Sequence, residues 1–239
     1  MKKALLGISA IVALASLPAA SYAQFAFNVG AVSDYRYRGI SQSRLKPALQ
    51  GGADFTAGGL YLGAWASTIK WIKDAGGDAG VELDLYGGYK GAISEGLAYD
   101  VGVLTYQYPG HDLAVSPVTT EIYGALSFGP ATLKYSHSVS NLFGFADSKN
   151  SGYLDLSATF DVDGILLTPH VGYQKVSGSS DYSYTDVSFG VSKDFSGLVV
   201  SATAVYADTK KIGGAHTYAG PSGKNHAKAG VVLGVKYNF

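Results

Sequence analysis

The sequence predicts an all-β protein, an antiparallel transmembrane β-barrel of about 12 strands with short periplasmic turns and longer extracellular loops. Three observations predict it. Apolar and polar residues alternate with period two along almost the whole chain, short and long connections follow one another in turn, and the chain closes on an alternating segment that ends in Phe239. Composition agrees: 32 glycines favour many turns and close backbone approach, charged residues make up only 15%, and cysteine is absent.

The first element is a leader. Met1, Lys2 and Lys3 give a positive start, Ala4 to Leu17 is apolar, and Ser21-Tyr22-Ala23 has the small-x-small form of a cleavage site. Residues 1–23 are expected to be a secretory signal peptide, because the apolar run is shorter than the roughly 20 residues a spanning helix needs. The mature barrel is then residues 24–239. Losing Lys2 and Lys3 turns a balance of 18 basic and 18 acidic side chains into a small acidic excess, which offers no electrostatic case for nucleic acid.

Strand by strand, Phe25, Phe27, Val29, Ala31, Ser33, Tyr35 and Tyr37 share one face, with Asn28, Asp34, Arg36 and Arg38 on the other. The next apolar sets are Leu49, Ala53, Phe55; Leu60, Leu62, Ala64, Ala66; Val81, Leu83, Leu85, Tyr89; and Leu97, Tyr99, Val101, Val103. They continue as Ile122, Leu126, Phe128; Leu133, Tyr135; Leu154, Leu156, Phe160; Leu167, Val171, Tyr173; and Val187, Phe189, Val191. Leu198, Val200, Ala202, Tyr206 and then Val231, Leu233, Val235, Tyr237, Phe239 complete the series. Charge falls on the intervening positions, as lipid demands, since Lys or Arg facing lipid at mid-depth costs about 2–4 kcal/mol. Pro169 has no N–H to give to a ladder, so a bulge or a later strand start is expected in the ninth strand.

Five tight connections, Ala57-Gly58-Gly59, Gly91 to Gly96, Gly129-Pro130, Asp161 to Gly164 and Asp194 to Gly197, alternate with longer ones at Ile40 to Lys46, Lys70 to Ala79, Pro109 to Pro117, Val139 to Asn150, Val176 to Asp181 and Thr209 to His226. Aromatic residues are expected to form two girdles. Phe25, Phe27, Phe55, Tyr89, Phe128, Phe160 and Phe239 would mark the periplasmic rim, and Tyr35, Tyr37 and Trp71 the other. Phe239 also has the form of the terminal signal read by outer-membrane assembly machinery. A secreted β-sandwich or lipocalin alternates too, but explains neither the loop asymmetry nor Phe239.

The polar face would line a lumen. Candidates for a constriction are Asp34, Arg36, Arg38, Glu82, Asp84, Asp100, Glu121, Lys134, Asp155 and Asp186, with Arg36 and Arg38 read as neighbours on one inward strand face. Two readings compete for them: a charged selectivity constriction, and a salt-bridge network that only stiffens and fills the barrel. Tyr61 and Trp65 are lumen aromatics, either a stacking surface for a planar solute or space-fillers beside Gly63. The five histidines are scattered without metal-ligand spacing, no glycine-rich phosphate cradle precedes a helix, and no His-x-Ser pair of the outer-membrane lipid hydrolases occurs. Catalytic, metal and cofactor residues are therefore not expected.

The stretch VSDYRYRGISQSRLKPALQGGADF (32–55), followed by GLYLGAWAS (59–67) and VELDLYGGY (81–89), resembles the TorF family of proteobacterial putative porins. That resemblance implies an outer-membrane barrel with a transport role. The expected function is passive diffusion of small polar solutes across the outer membrane of a Gram-negative bacterium, with lipid and the assembly machinery as partners. The alternatives are a non-conducting structural or adhesive barrel and, at a further remove, a barrel enzyme.

Overall fold

The computed structural model describes residues 23–239, so the expected signal peptide lies, but for Ala23, outside the described residues. Twelve long strands follow in chain order. They are β1 (Gln24–Val32), β2 (Ala48–Ala57), β3 (Leu60–Thr68), β4 (Val81–Ser94), β5 (Leu97–Gln107) and β6 (Thr119–Phe128). The second half comprises β7 (Ala131–Ser138), β8 (Gly152–Ala158, resumed as Phe160–Val162), β9 (Ile165–Lys175), β10 (Tyr184–Phe195), β11 (Leu198–Asp208) and β12 (Gly230–Asn238). Each pairs antiparallel with the next, and β1 pairs with β12 through Val29 and Tyr237, so the sheet closes without an edge. Closure removes the unpaired backbone groups that an open sheet would present.

The outward face is apolar around the whole circumference. Phe25, Leu62, Val101, Leu126, Leu154, Val187 and Leu233 are all exposed, which a water-soluble sandwich would not tolerate as a continuous band. At the turn end, Phe25 meets Phe55 at 5.0 Å and Phe27 stacks on Phe239 at 5.9 Å between ring centroids. The second girdle differs from expectation. Tyr35 is only 8% exposed and points inward, and Tyr37 and Trp71 pack beside it; the outward aromatics at the loop end are Tyr135, Tyr173 and Tyr206.

The turns obey backbone chemistry. Asp163-Gly164 and Ser196-Gly197 have positive φ at both residues, the conformation that a two-residue hairpin turn needs to match strand twist. Pro169 is handled differently from expectation. β9 runs through it without a bulge, and Ser157↔His170 and Phe160↔Leu167 keep one register. The missing N–H shows up in the neighbour, where β8 breaks at Thr159.

The first strand is also shorter than its pattern suggests. After Val32 the chain leaves the sheet and turns back inside the barrel as a small hairpin, Arg36–Tyr37 against Ile40–Ser41. Arg38 and Gly39 make its tip with φ of 45° and 81°. Loops 69–80, 108–118 and 139–151 pack on this hairpin, burying Tyr35, Ile69, Ile72, Tyr106 and Tyr108 in one cluster. The core of the molecule thus sits within the loop end of the barrel.

Candidate functional site in the barrel lumen

Strand parity places Glu82 and Asp84 (β4), Asp100 (β5), Glu121 (β6), Lys134 (β7), Asp155 (β8) and Asp186 (β10) in the interior, on the opposite face from the exposed apolar set. Tyr61 and Trp65 project inward from β3. Asp34, Arg36 and Arg38 reach the lumen from the hairpin.

The two arginines do not form a ladder on one strand, because the hairpin turn between them sends them to different partners. Arg38 crosses the lumen. Its Nη1 and Nη2 donate to Glu121 Oε1 and Oε2 at 2.9 and 2.7 Å, Nη1 also donates to Gln174 Oε1 at 2.7 Å, and the guanidinium lies 4.1 Å from the Tyr153 ring centroid. Such a bidentate fork fixes orientation as well as charge. Arg36 turns toward the last loop instead, donating from Nε to Asp34 and from Nη1 to the carbonyls of Gly39 and His226. Asp34 Oδ1 accepts from Ser41 and Ser43, so this carboxylate organises the hairpin rather than opposing Arg38.

Below the hairpin, hydroxyl-to-carboxylate bonds recur around the wall. Tyr35 Oη donates to Glu82 at 2.5 Å, Tyr61 Oη to Asp100 at 2.5 Å, Tyr86 Oη to Asp54 at 2.5 Å and Tyr153 Oη to Asp186 at 2.9 Å. Each of the last three tyrosines lies across a glycine of an adjacent strand. A β-carbon at Gly63 would overlap the Tyr86 ring, and one at Gly172 would overlap Tyr153. Trp65 meets Tyr35 edge to face at 5.4 Å, and Lys134 Nζ lies 3.9 Å from the Tyr123 ring centroid. Asp84 is buried with Oδ1 unpartnered.

Sequence reasoning missed His170 and Gln174. His170 Nε2 lies 2.6 Å from Asp155 and Nδ1 lies 3.6 Å from Asp186, which joins β8, β9 and β10 into one polar network. Inward parity from Val171 and Tyr173 marks both positions, but their partners depend on inter-strand register. The opposite wall is built differently: β10, β11, β12 and β1 present Ser188, Gly190, Ser201, Thr203, Gly234 and Gly30 to the interior. This stretch is poorer in bulky side chains than β3 to β9, but Asp186 of β10 and Lys236 of β12 also face the lumen.

A model of a family of bacterial proteins of unknown function, Gcw_chp, matches residues 16–239. No curated protein sequence matches the chain. Among solved structures, the NanC porin in a rhombohedral crystal form superposes with a TM-score of 0.54 at 10% identity, covering 90% of this chain and 99% of that one. The OmpF of Salmonella typhi in complex with daunomycin gives 0.46 at 10% identity, with 92% and 98% covered. The outer membrane protein OprD from Pseudomonas aeruginosa gives 0.42 at 9% identity, with 90% and 65% covered. At 10% identity the likeness to the NanC porin is one of fold.

Proposed function

The chain belongs to the Gcw_chp family of bacterial proteins of unknown function, and from that premise we propose that it is a narrow porin-like channel of a Gram-negative outer membrane. In this reading small polar solutes diffuse through it, its apolar band meets lipid, and Phe239 presents the assembly signal. The observation that carries the reading is a lumen whose charged side chains are not all buried. A lumen filled by a salt-bridge network would leave its charged side chains fully buried, whereas here Asp54, Lys134, Asp155 and Lys236 remain partly accessible.

The porin-like fold and the TorF-like segments of the first third support the same reading. In this reading Arg38, which bridges to Glu121 and Gln174 across the lumen, is the constriction residue, and the tyrosine–carboxylate bonds brace the wall around it. No covalent chemistry and no cofactor are part of this function. The expected selectivity follows from the Arg38 guanidinium held among the lumen carboxylates, with neutral and zwitterionic solutes passing most readily.

Liposome swelling tests it. Vesicles carrying the refolded mature chain should swell in small neutral solutes such as glycerol and glycine, and progressively less in disaccharides. Swelling no faster than in protein-free vesicles, from protein that migrates as a heat-modifiable folded barrel, would sink the proposal in favour of a structural barrel.

A further inference from the structure

Above the Arg38 constriction, at the loop end, lies a cavity of about 290 Å³. Loops supply Trp71, Asp74, Phe143, Tyr218 and His226, and strand ends supply Glu82, Tyr106 and Tyr184. Its aromatic walls hold themselves in place by edge contacts, Trp71 on Tyr108 at 5.0 Å and Tyr184 on Tyr218 at 5.2 Å. Two carboxylates, Asp74 and Glu82, line it, and neither lysine nor arginine does.

Three buried polar atoms of its lining have no hydrogen-bond partner: the donor Trp71 Nε1, and Asp74 Oδ2 and His226 Nε2, which lie near one another. The Asp74 side chain is 9% exposed; Oδ1 forms an ion pair with Arg44, but Oδ2 is buried without a hydrogen bond. His226 is 5% exposed and its Nε2 is likewise buried and unpartnered. Both atoms lie beside Gly220: the imidazole packs on it so closely that a β-carbon there would clash with Nε2 at 2.7 Å, and the same point lies 3.6 Å from Oδ2. Burying polar atoms without partners is costly, so Asp74 Oδ2 and His226 Nε2 left near one another call for an external donor.

We propose that this cavity binds a primary organic ammonium, whose N–H groups donate to Asp74 Oδ2 and His226 Nε2 while its hydrocarbon body lies against the faces of Trp71, Tyr108, Tyr184 and Tyr218. A primary ammonium carries three donors on one point charge and matches two adjacent acceptors, and the surrounding π-faces favour a cation. Burial lowers the His226 pKa, with Arg36 and Arg44 adding to the effect against the pull of Asp74 and Asp34, so the imidazole is uncharged at neutral pH and accepts through Nε2. The quaternary analogue has no N–H to donate, the alcohol no charge, and the carboxylate the wrong charge. The site is defined by binding at equilibrium and stands whether or not the barrel conducts.

Intrinsic tryptophan fluorescence of the folded mature barrel in detergent is the test, titrated with phenethylammonium, trimethyl(phenethyl)ammonium, 2-phenylethanol and 3-phenylpropionate. Phenethylammonium should give a saturable change centred on Trp71, about tenfold or more tighter than the other three. Asp74→Asn should weaken it about tenfold, and Gly220→Val, which fills the space in front of both acceptors, should abolish it. Arg44→Gln, which breaks the same ion pair but leaves Oδ2 free, should retain binding, separating loss of the site from loss of the loop. Equal binding of 2-phenylethanol, an unchanged titration in Asp74→Asn, or no saturable signal from the folded barrel would overturn the proposal.

Discussion

Arg38 and Glu121 face each other across the barrel as a bidentate pair, Nη2 to Oε2 at 2.7 Å, with side chains 7% and 2% exposed. One comes from the tip of the inner hairpin and the other from β6, so the pair ties the inserted hairpin to the barrel wall.

Breaking that pair from one side should cost more than removing it. Arg38→Met leaves Glu121 buried without its partner and should destabilise the folded barrel by about 3 kcal/mol or more. The double variant Arg38→Met/Glu121→Gln should recover a substantial part of that loss. Urea unfolding of the lipid- or detergent-embedded barrel, followed by the heat-modifiable band, measures both.

The tyrosine-over-glycine arrangement makes a contrast between two lumen glycines. Gly172→Ala drives a methyl into the Tyr153 ring and should cost about 1–3 kcal/mol. Gly190→Ala meets nothing closer than Thr203 Oγ1 at 3.4 Å and should be tolerated within about 0.5 kcal/mol. The same unfolding assay separates them.

Phe239 acts at the seam. Its backbone N–H donates to Phe27 O at 3.0 Å, and Phe27 N–H donates to Phe239 O at 2.9 Å, so the last residue closes the β1–β12 junction through the main chain as well as by ring stacking. Phe239→Ala keeps the backbone bonds and should refold in detergent nearly as well as the parent. In cells the same variant should show several-fold less protein in the outer-membrane fraction if Phe239 acts as the proposed assembly signal.

His226 sets a pH dependence. Burial holds its folded pKa below the ordinary value of 6.5, so the unfolded loop binds the proton more readily. The folded arrangement of loop 209–229 therefore keeps its full stability above about pH 6.5 and loses it as pH falls below that value toward the folded pKa. Limited proteolysis of that loop should accelerate between about pH 7.5 and about pH 5.5. His226→Gln should flatten the dependence; an unchanged profile in that variant would assign it elsewhere.

Period-two alternation is a local property of the backbone, which is why the strands and the five tight turns are legible in the sequence. It is also why the first strand reads too long. Arg36–Tyr37 and Ile40–Ser41 alternate as well, inside the barrel instead of in its wall, and a strand-like stretch does not announce which sheet it joins. Gly39 and the serines around Asp34 were the available cues. Tyr35 and Tyr37 consequently read as girdle residues, whereas their hydroxyls are needed by Glu82 and Tyr106 in the lumen.

The lumen candidates share a different logic. Parity alone places Glu82, Asp84, Asp100, Glu121, Lys134, Asp155 and Asp186 inside. What each one touches depends on register between strands and on a loop returning from far along the chain. Arg38 meets Gln174 across 136 positions of sequence, and Arg36 meets the His226 carbonyl across 190. No local pattern carries such contacts, and the aromatic cavity above the constriction is assembled in the same non-local way.

Single-channel recording in planar lipid bilayers, comparing the parent mature chain with Arg38→Ala, is the most direct test of the channel. The account predicts small discrete steps for the parent, larger steps for the variant, and a shift toward cation selectivity under a salt gradient as the constriction loses its positive charge. Folded barrels of both proteins that pass no current, or identical conductance and selectivity in the two, would contradict it.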